Sequence, residues 1–379
     1  MEASSPISIQ QTPLQDHPSE PSPKPYKKSF VTTLMEAATL RTPSFKEDTY
    51  FISHLKSSEK KALLEFRDKL SASYDSDSEC SMWGIPLMSG DEKADVILLK
   101  FLRARDFRVP DALRMLDKCL SWRKEFGADS ICEVDLGFKE LEGVVAYMHG
   151  YDREGHPVCY NAYGVFKDKE MYERIFGDEE KLKKFLRWRV QVLERGIKLL
   201  NFKPGGVNSI IQVTDLKDMP KRELRVASNQ IPLFFKIIIL KWWLVRFIRP
   251  EDIPVQYGGL CRPSDLQNGP PKPASEFAVK GGEKVNIQIE GIEGGATITW
   301  DIVVGGWDLE YSAEFVPNAE GSYTIAVEKI RQVAPSEEAI HNSYTSREAG
   351  KMVLSVDNTA SKRKKVAAYR YIVRKSTVV

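Results

Sequence analysis

The spacing of apolar residues changes twice along this chain of 379 residues, and that change limits the possible folds more than any other feature. Between positions 57 and 127, apolar residues recur at helical spacing. Two short apolar runs then flank a long helical pattern between positions 157 and 214, and from position 274 onward apolar and polar residues alternate. Because helices and strands have different side-chain periods, the sequence predicts a helical unit, then a mixed α/β unit, then an all-β unit.

The first unit is predicted to be a small bundle of three amphipathic helices. A serine, an aspartate or a proline stands where each helix should begin, and these residues suit a first helical turn. A glycine follows the third helix, as is common at helix ends. The predicted helices run from Ser57 or Ser58 to Leu70, from Ser89 or Asp91 through Leu102, and from Pro110 to Gly127.

The second unit is predicted to contain a strand, a helix and a second strand. The runs from Pro157 to Phe166 and from Val207 to Thr214 are apolar and short enough for strands. Between them, Asp178 is placed to cap a helix from Glu179 to Leu200. A crossover of this length joins parallel strands. The apolar stripe of the helix comprises Leu182, Phe185, Leu186, Val190, Leu193, Ile197 and Leu200.

The third unit is predicted to be a β-sandwich. Short alternating runs are separated by glycine pairs such as Gly294-Gly295, which is typical of antiparallel strands joined by turns. The Pro/Gly stretch from Arg262 to Pro273 is interpreted as the linker before this unit. The alternating sets are Val285, Ile287 and Ile289; Ile298, Trp300 and Ile302; Leu309, Tyr311, Ala313 and Phe315; and Tyr323, Ile325 and Val327, with further strands expected at 351–356 and 366–373.

Composition excludes several classes of protein. The 55 Lys and Arg against 53 Asp and Glu leave a formal charge of +2, so no nucleic-acid partner is expected. Five cysteines, an odd number without a Cys-x-x-Cys pair, indicate a reducing compartment. The N-terminal residues are rich in Ser, Pro and Gln without the apolar core of a secretory signal. We therefore expect a cytoplasmic protein with a disordered N-terminal tail.

The sequence contains no recognised catalytic signature. No Gly-x-Gly-x-x-Gly motif, Walker loop or Gly-x-Ser-x-Gly elbow occurs after a predicted strand. His149 and His156 flank a turn signal, and the histidines show no metal-ligand spacing. Asp215 and Asp218 follow a predicted parallel strand, but no base or nucleophile accompanies them. The sequence therefore predicts no catalytic residue, no metal and no cofactor.

One long apolar run leaves two interpretations open. Residues Ile231 to Val245 read IPLFFKIIILKWWLV, and two lysines, Lys236 and Lys241, interrupt the run. A membrane-spanning helix needs about 20 apolar residues. A buried or interfacial segment is therefore favoured, and a membrane anchor stays the alternative.

The clearest charged feature is a basic cluster near the C-terminus. It precedes the last predicted strand, and no acid follows it. We predict that it lies on a hairpin loop at one end of the sandwich and contacts anionic lipid, since each cation near such a surface contributes about 1 kcal/mol. A solvated edge loop or a nuclear signal is the alternative. The cluster comprises Lys362, Arg363, Lys364 and Lys365.

Several strings resemble a known family. LLKFLRARDF (98–107) resembles the N-terminal helical module of Sec14/CRAL-TRIO lipid-transfer proteins, and YDREGHPVCYNAYG (151–164) resembles their first lipid-domain strands. IRPEDIPVQYGGL (248–260) resembles the closing motif of that domain. TWDIVVGGWDLEYSAEF and LSVDNTASKRKK resemble a GOLD domain. A Sec14 domain followed by a GOLD domain is the arrangement of the plant patellins.

The resemblance implies an α/β plus all-β fold with three parts. The implied bounds are 1–45 for a disordered tail, 46–130 for the CRAL-TRIO N-terminal helical module, 140–262 for a Sec14/CRAL-TRIO lipid-binding domain and 274–375 for a GOLD β-sandwich. It also implies a non-enzymatic carrier that binds phosphoinositides and hydrophobic lipids and acts in membrane trafficking, with cell-plate formation in cytokinesis expected. The implied partners are phosphoinositide-containing membranes, which the protein contacts peripherally, and proteins that bind the GOLD domain.

The sequence departs from the family pattern between Gln230 and Phe247. Several dozen family residues, which include a gate helix and two strands, are replaced there by IPLFFKIIILKWWLVR. Asp106 is a second departure, because Sec14-type proteins often carry a basic residue at that place. The lipid-binding domain is therefore expected to be truncated.

Apolar residues of the two predicted strands are expected to form part of one wall of a lipid pocket. Each buried methylene is worth about 0.8 kcal/mol, so acyl chains need an almost complete enclosure during transfer. Since the substitute segment is too short for the opposite wall and the gate, we predict membrane binding with little lipid transfer. The alternative is a protein adaptor with a vestigial lipid domain. The predicted pocket residues are Tyr160, Tyr163, Phe166, Ile211 and Val213.

Overall fold

The computed structural model describes residues 49–75, 80–215, 217–218, 236–238, 244–265 and 272–375. The predicted tail and most of the Ile231 to Val245 run lie outside these residues. Within the described ranges, no helix combines the length and apolar character that a membrane span requires.

Three helices form the N-terminal module. Helix α1 covers Ser57–Ser73, α2 covers Glu92–Arg103 and α3 covers Val109–Phe126. The Asp91 carboxylate accepts a hydrogen bond from the N–H of Ala94 over 2.8 Å, as expected for a cap. Helix α1 is capped differently from the prediction, because the Glu59 carboxylate accepts the N–H of Lys56 over 2.9 Å. One apolar core holds the three helices together.

The α/β domain is built on a four-stranded sheet with the order β3-β4-β5-β6. Strands β4 and β5 are parallel, as are β5 and β6, whereas β3 and β4 are antiparallel. The predicted parallel pair is therefore confirmed. The strands are β3 (Ala146–Tyr151), β4 (Pro157–Ala162), β5 (Ile211–Asp215) and β6 (Lys236–Ile238); a two-stranded ribbon, β1 (Ser81–Met82) and β2 (Ile85–Pro86), precedes them.

Helices α4 (Lys169–Phe176) and α5 (Glu179–Ile197) connect β4 to β5, and a short helix α6 (Leu244–Phe247) follows β6. The Asp178 carboxylate caps α5 as predicted, since it accepts the N–H of Lys181 over 2.8 Å. The buried face of α5 matches the predicted stripe only in part. Phe185 is buried as predicted, but Trp188 and Val192, which lie outside the stripe, are buried as well, whereas Leu186 and Val190 are half-buried. Periodicity identified this helix but not the angle at which it packs.

The C-terminal unit is a sandwich of two four-stranded sheets, with the orders β11-β10-β13-β8 and β12-β9-β14-β7. Its strands pair antiparallel, which confirms the predicted all-β class. Trp300, Tyr311 and Phe315 lie in the core between the sheets. The strands are β7 (Ser275–Val279), β8 (Lys284–Ile292), β9 (Thr297–Val304), β10 (Leu309–Pro317), β11 (Ile325–Val333), β12 (Ile340–Thr345), β13 (Gly350–Asp357) and β14 (Lys365–Arg374).

Candidate functional site

Three of the five predicted pocket residues lie together on one face of the α/β sheet. Tyr160 of β4 and Ile211 and Val213 of β5 belong to one buried apolar cluster. Residues that follow β6 cover this face, including Leu244 and Tyr257. The alternation of a strand places these side chains on the same side, because residues two apart point the same way.

The other two predicted pocket residues lie elsewhere. Tyr163 and Phe166 form a short 3-10 turn, Tyr163–Lys167, after β4. They pack with Phe185 of α5 and its neighbours, in a different apolar cluster from that of Tyr160. The structure therefore corrects the prediction of a single wall. The strand ends at Ala162, and the turn after it carries both rings toward the helices instead of the covered face.

A stack of three tyrosines crosses the covered face, and sequence reasoning found only one of them. The ring of Tyr160 stacks on Tyr147 with centroids 5.5 Å apart and on Tyr257 with centroids 5.2 Å apart. Burial raises the pKa of Tyr257 to about 12, so its hydroxyl stays protonated at neutral pH. Tyr147 and His149 are two residues apart in β3, so their side chains lie on the same face of the strand. This spacing could have indicated from the sequence that β3 contributes to the stack.

Two polar atoms in this region have no hydrogen-bond partner within the described part of the chain. They are the hydroxyl oxygen of Tyr160 and Nε2 of His149, whose ring lies 5.9 Å from that of Tyr160. Burial lowers the pKa of His149, which favours the neutral ring. A buried hydroxyl without a partner costs about 1 to 3 kcal/mol. The pair can therefore donate to or accept from a polar group of a ligand that enters this face.

The turn after β3 brings three possible metal ligands together, but its hydrogen bonds account for the arrangement. The Asp152 carboxylate accepts N–H groups from Glu154 and His156, and its second oxygen lies 2.9 Å from Nδ1 of His156. Burial would raise the pKa of Asp152, but the hydrogen bonds from His156 outweigh it, and the pKa is lowered. The Asp152 and His156 side chains, with the backbone N–H of Glu154, close a turn.

The predicted basic cluster lies on a connection between the two sheets of the sandwich, and the expectation of a hairpin loop was wrong. The cluster follows β13 and precedes β14, and these strands belong to different sheets. Three of its members, Lys362, Arg363 and Lys364, are exposed. Two consecutive strands separated by a short turn suggest a hairpin. Only the pairing between strands shows that β13 and β14 join different sheets.

This connection is fixed by the turn between β7 and β8. The side chain of Asn358, 1% exposed, donates to the carbonyl oxygens of Lys280 and Arg363, both over 2.9 Å. Gly281 packs so closely that an added Cβ would lie 2.3 Å from the carbonyl carbon of Lys362. We call the exposed residues Lys362, Arg363 and Lys364 the basic loop. The turn beside it carries the exposed Lys280, and Lys284 follows at the start of β8, where it pairs with Asp357. The Lys-Gly-Gly-Glu-Lys string at 280–284 was the signal that sequence reasoning missed.

Lys365, the fourth predicted member of the cluster, is directed away from solvent. It is only 9% exposed, and its ammonium donates to the carbonyl oxygens of Trp307 and Asp308. Burial lowers the pKa of this lysine. Its place as the first residue of β14 explains the difference, because alternation along the strand turns this side chain toward the sandwich. Lys365 is therefore a structural residue and not part of the exposed surface.

Comparisons with protein families agree with the three structural units. Residues 62–118 match the model described as CRAL/TRIO, N-terminal domain, and residues 141–239 match the CRAL/TRIO domain. Residues 280–365 match the model described as Patellin-1-like, C-terminal GOLD domain.

Comparisons with individual proteins give relatives along most of the chain. Patellin-6 from Arabidopsis thaliana is 66% identical, and the alignment covers 96% of this chain and 97% of the relative. Patellin-3 from the same plant is 41% identical, and the alignment covers 87% of this chain and 78% of the relative. A phosphatidylinositol transfer protein, SFH5 from Meyerozyma guilliermondii, is 28% identical over 42% of this chain and 54% of its own. The crystal structure of Sfh5 matches with 23% identity and a TM-score of 0.37, over 49% of this chain and 64% of that one.

The alignment with Patellin-6 also bears on the predicted deletion. It spans 404 positions, while this chain has 379 residues, so at least 25 aligned positions have no residue of this chain. Residues are therefore missing relative to Patellin-6.

Proposed function

Since the chain belongs to the patellin family, we propose that it is a non-catalytic protein that binds phosphoinositides and hydrophobic lipids at membrane surfaces. The phosphatidylinositol transfer proteins among its relatives support a phospholipid as the ligand. A role in membrane trafficking, with cell-plate formation as the expected process, rests on the family resemblance alone. A lipid-binding protein needs an apolar enclosure and cations at the membrane surface, but no acid–base pair.

One observation carries the membrane-binding part of the proposal. Lys362, Arg363 and Lys364 are exposed on a rigid connection, and none forms an ion pair among the described residues. Each such cation near an anionic bilayer is worth about 1 kcal/mol. Lys280 on the neighbouring turn adds one exposed cation to the same surface, whereas the charge of Lys284 is partly compensated by Asp357, 3.9 Å away. Because this attraction is electrostatic, it weakens as salt shortens the Debye length below about 10 Å.

We propose further that this chain transfers lipid poorly between membranes. Tyr160, Ile211 and Val213 are already covered by side chains such as Leu244 and Tyr257, so an acyl chain must displace protein groups to reach them. A deletion between Gln230 and Phe247, which the shortfall against Patellin-6 supports, would remove the opposite wall and the gate. The chain would then bind a membrane without enclosing a lipid for transit.

An adaptor role is the second candidate, and one feature of the sandwich favours it. An open groove of about 580 Å³ lies between β11 and the start of β12. Glu328, Ile330 and Arg331 line one side of it, and Glu338 and His341 line the other. Such a mixed polar and apolar groove suits a segment of another protein.

Flotation with vesicles tests the membrane-binding proposal. Wild type and the triple variant Lys362→Gln, Arg363→Gln, Lys364→Gln are mixed with vesicles that contain or lack a phosphoinositide. We expect the triple variant to lose most binding at low salt, since it removes about 3 kcal/mol of attraction.

The matched control removes the same charge from scattered surface positions, with Lys61, Lys93 and Lys329 replaced by Gln. This control should float like wild type. Equal flotation of the triple variant and the control would contradict the role of the basic loop, and failure of wild type to float would favour the adaptor.

Fluorescent-lipid transfer between two vesicle populations tests the second part. This chain is compared with a form that carries the family-like segment between Gln230 and Phe247. We expect transfer by the restored form and little transfer by this chain, with equal membrane binding. Comparable transfer rates would refute our interpretation of the deletion.

A further inference from the structure

One tryptophan of the helical module has a large part of its ring exposed to solvent. Trp122, near the end of α3, is 41% exposed, whereas Trp188, Trp300 and Trp307 are almost fully buried. Its ring stacks on Phe126, one turn later, with centroids 4.8 Å apart. A tryptophan combines a large apolar surface with one N–H donor, a combination that favours the boundary between water and lipid headgroups.

One cation from α5 lies against the Phe126 ring, and a second lies one turn away on the same helix. The guanidinium of Arg187 lies 4.7 Å from the ring centre of Phe126 and donates to the carbonyl oxygen of that residue over 3.0 Å. One turn earlier, the ammonium of Lys184 lies 5.7 Å from the ring centre of Phe138. Lys184 and Arg187 are three residues apart on α5 and are therefore neighbours on its surface, which places a second cation beside the one that contacts Phe126.

A further lysine extends the positive surface on α3. Lys118 is exposed one turn before Trp122, and residues four apart on a helix are neighbours. Within the described ranges, no ion pair is formed by Lys118, Lys184 or Arg187. The exposed acid on this part of α3 is Glu125, so the surface keeps a positive excess. We call Lys118, Trp122, Phe126, Lys184 and Arg187 the Trp122 strip.

We propose that the Trp122 strip is a second membrane contact, in which Trp122 enters the headgroup layer and the three cations face anionic lipid phosphates. The inference rests on the proposed function as a membrane-binding protein, but it uses neither the basic loop nor the covered sheet face. Cations without acidic partners favour an anionic surface, and the exposed Trp122 ring beside them favours its apolar boundary. The long stems of Lys118 and Lys184 allow their ammonium groups to stay in water while the rings enter the lipid.

Quenching by brominated lipids tests the position of Trp122. Only a tryptophan that enters the bilayer is quenched, so wild type bound to vesicles with anionic brominated phospholipid should lose part of its fluorescence. Trp122→Phe should remove that quenching and keep the stack on Phe126, so the fold is preserved. Trp83→Phe is the control, because the partly buried ring of Trp83 packs on the apolar core of the module, where it stacks on Phe202 with 5.1 Å between centroids. Its quenching should equal that of wild type.

Charge variants test the cations independently of fluorescence. Lys118→Gln with Lys184→Gln should weaken binding to anionic vesicles by at least about fivefold, since each cation is worth about 1 kcal/mol there. The control replaces Lys181 and Lys183 by Gln on the same helix, where both ammonium groups already pair with Asp178 and Glu179. That control should bind within about twofold of wild type, because those charges are already compensated.

The two proposals fail in distinguishable ways. If wild type binds anionic vesicles, but Trp122→Phe is quenched as strongly as wild type and the Lys118 and Lys184 variant binds as tightly, the Trp122 strip is refuted and the proposed function stands. If wild type binds no anionic vesicle at all, the proposed function is overturned, and the Trp122 strip with it.

Discussion

Arg370 of the sandwich donates a hydrogen bond from Nη2 to the carbonyl oxygen of Leu260 in the α/β domain over 2.9 Å. The same guanidinium donates from Nε to Asp301 over 2.8 Å and from Nη2 to Asp265 over 2.6 Å. Leu260 itself is buried against Val303 of β9 and its neighbours. One residue of the sandwich therefore holds the segment that ends the α/β domain by polar contacts, and Leu260 adds an apolar one.

This segment also covers the candidate pocket. Ile253 and Tyr257 contact the apolar sheet face. The N–H of Leu260 donates to the carbonyl oxygen of Pro250 over 2.8 Å, which closes the loop that carries both residues. The sandwich and the covered face are thus joined through one short stretch of chain.

Removing the Asp301 carboxylate, which Arg262 and Arg370 share, should destabilise the contact between the two domains. Asp301 is buried and accepts from Arg370, Arg262 and His341. We expect Asp301→Asn to lower the free energy of unfolding by about 3 kcal/mol, because Arg262 loses its carboxylate partner and the buried Arg370 keeps only Asp265. Urea denaturation measures the change. The control is Glu276→Gln, which breaks an exposed pair with Arg153 and should cost less than about 1 kcal/mol. Equal losses in the two variants would contradict the role of Asp301.

The contact between the domains should weaken in acid. Burial would raise the pKa of Asp265, but hydrogen bonds from Arg370 and Arg262 outweigh it, and the pKa is lowered. A carboxyl with a lowered folded-state pKa stabilises the protein above its unfolded pKa of about 3.9 and loses that contribution as the pH falls through the folded value. The stability difference between wild type and Asp265→Asn should therefore be constant above about pH 5 and shrink below about pH 4. A difference independent of pH would show that the charge of Asp265 is not what matters.

Lys365 and Lys364 are neighbours in the sequence, but we expect the first to affect stability and the second to affect vesicle binding. Lys365→Gln removes an ammonium that donates to two buried carbonyl oxygens, so we expect a loss of about 1 to 3 kcal/mol in stability and unchanged vesicle binding. Lys364→Gln changes an exposed side chain and should stay within about 0.5 kcal/mol while it weakens vesicle binding. Thermal denaturation and flotation of both variants check the pair. The reverse assignment would show that Lys365 reaches the membrane.

Two buried tyrosines should respond in opposite ways to loss of their hydroxyl groups. Tyr160→Phe removes a hydroxyl that has no partner among the described residues and should leave stability unchanged or raise it by about 1 kcal/mol. Tyr311→Phe removes the acceptor of the Trp300 N–H, 2.9 Å away, and should cost about 1 to 3 kcal/mol. Urea denaturation of each variant measures both effects. A large loss for Tyr160→Phe would mean that its hydroxyl is engaged in the folded protein.

Local patterns predicted the parts of this protein that depend on local interactions. Asp91 and Asp178 cap helices as expected, because a cap is a contact between residues three apart. The parallel pair of β4 and β5 followed from the length of the connection, and the sandwich followed from its period-two alternation. Recognisable strings, from LLKFLRARDF to LSVDNTASKRKK, identified the family.

Tertiary structure alone decided the features that depend on distant residues. Pairing assigned β13 and β14 to different sheets, which turned a predicted hairpin into a connection and buried Lys365. The end of β4 at Ala162 sent Tyr163 and Phe166 toward the helices, while packing brought Tyr257 onto Tyr160 from almost a hundred positions away. The sequence determined which residues are apolar or charged and the local elements they form. Which face each one occupies depends on strand register and on packing between elements far apart in the chain, and no local spacing encodes those contacts.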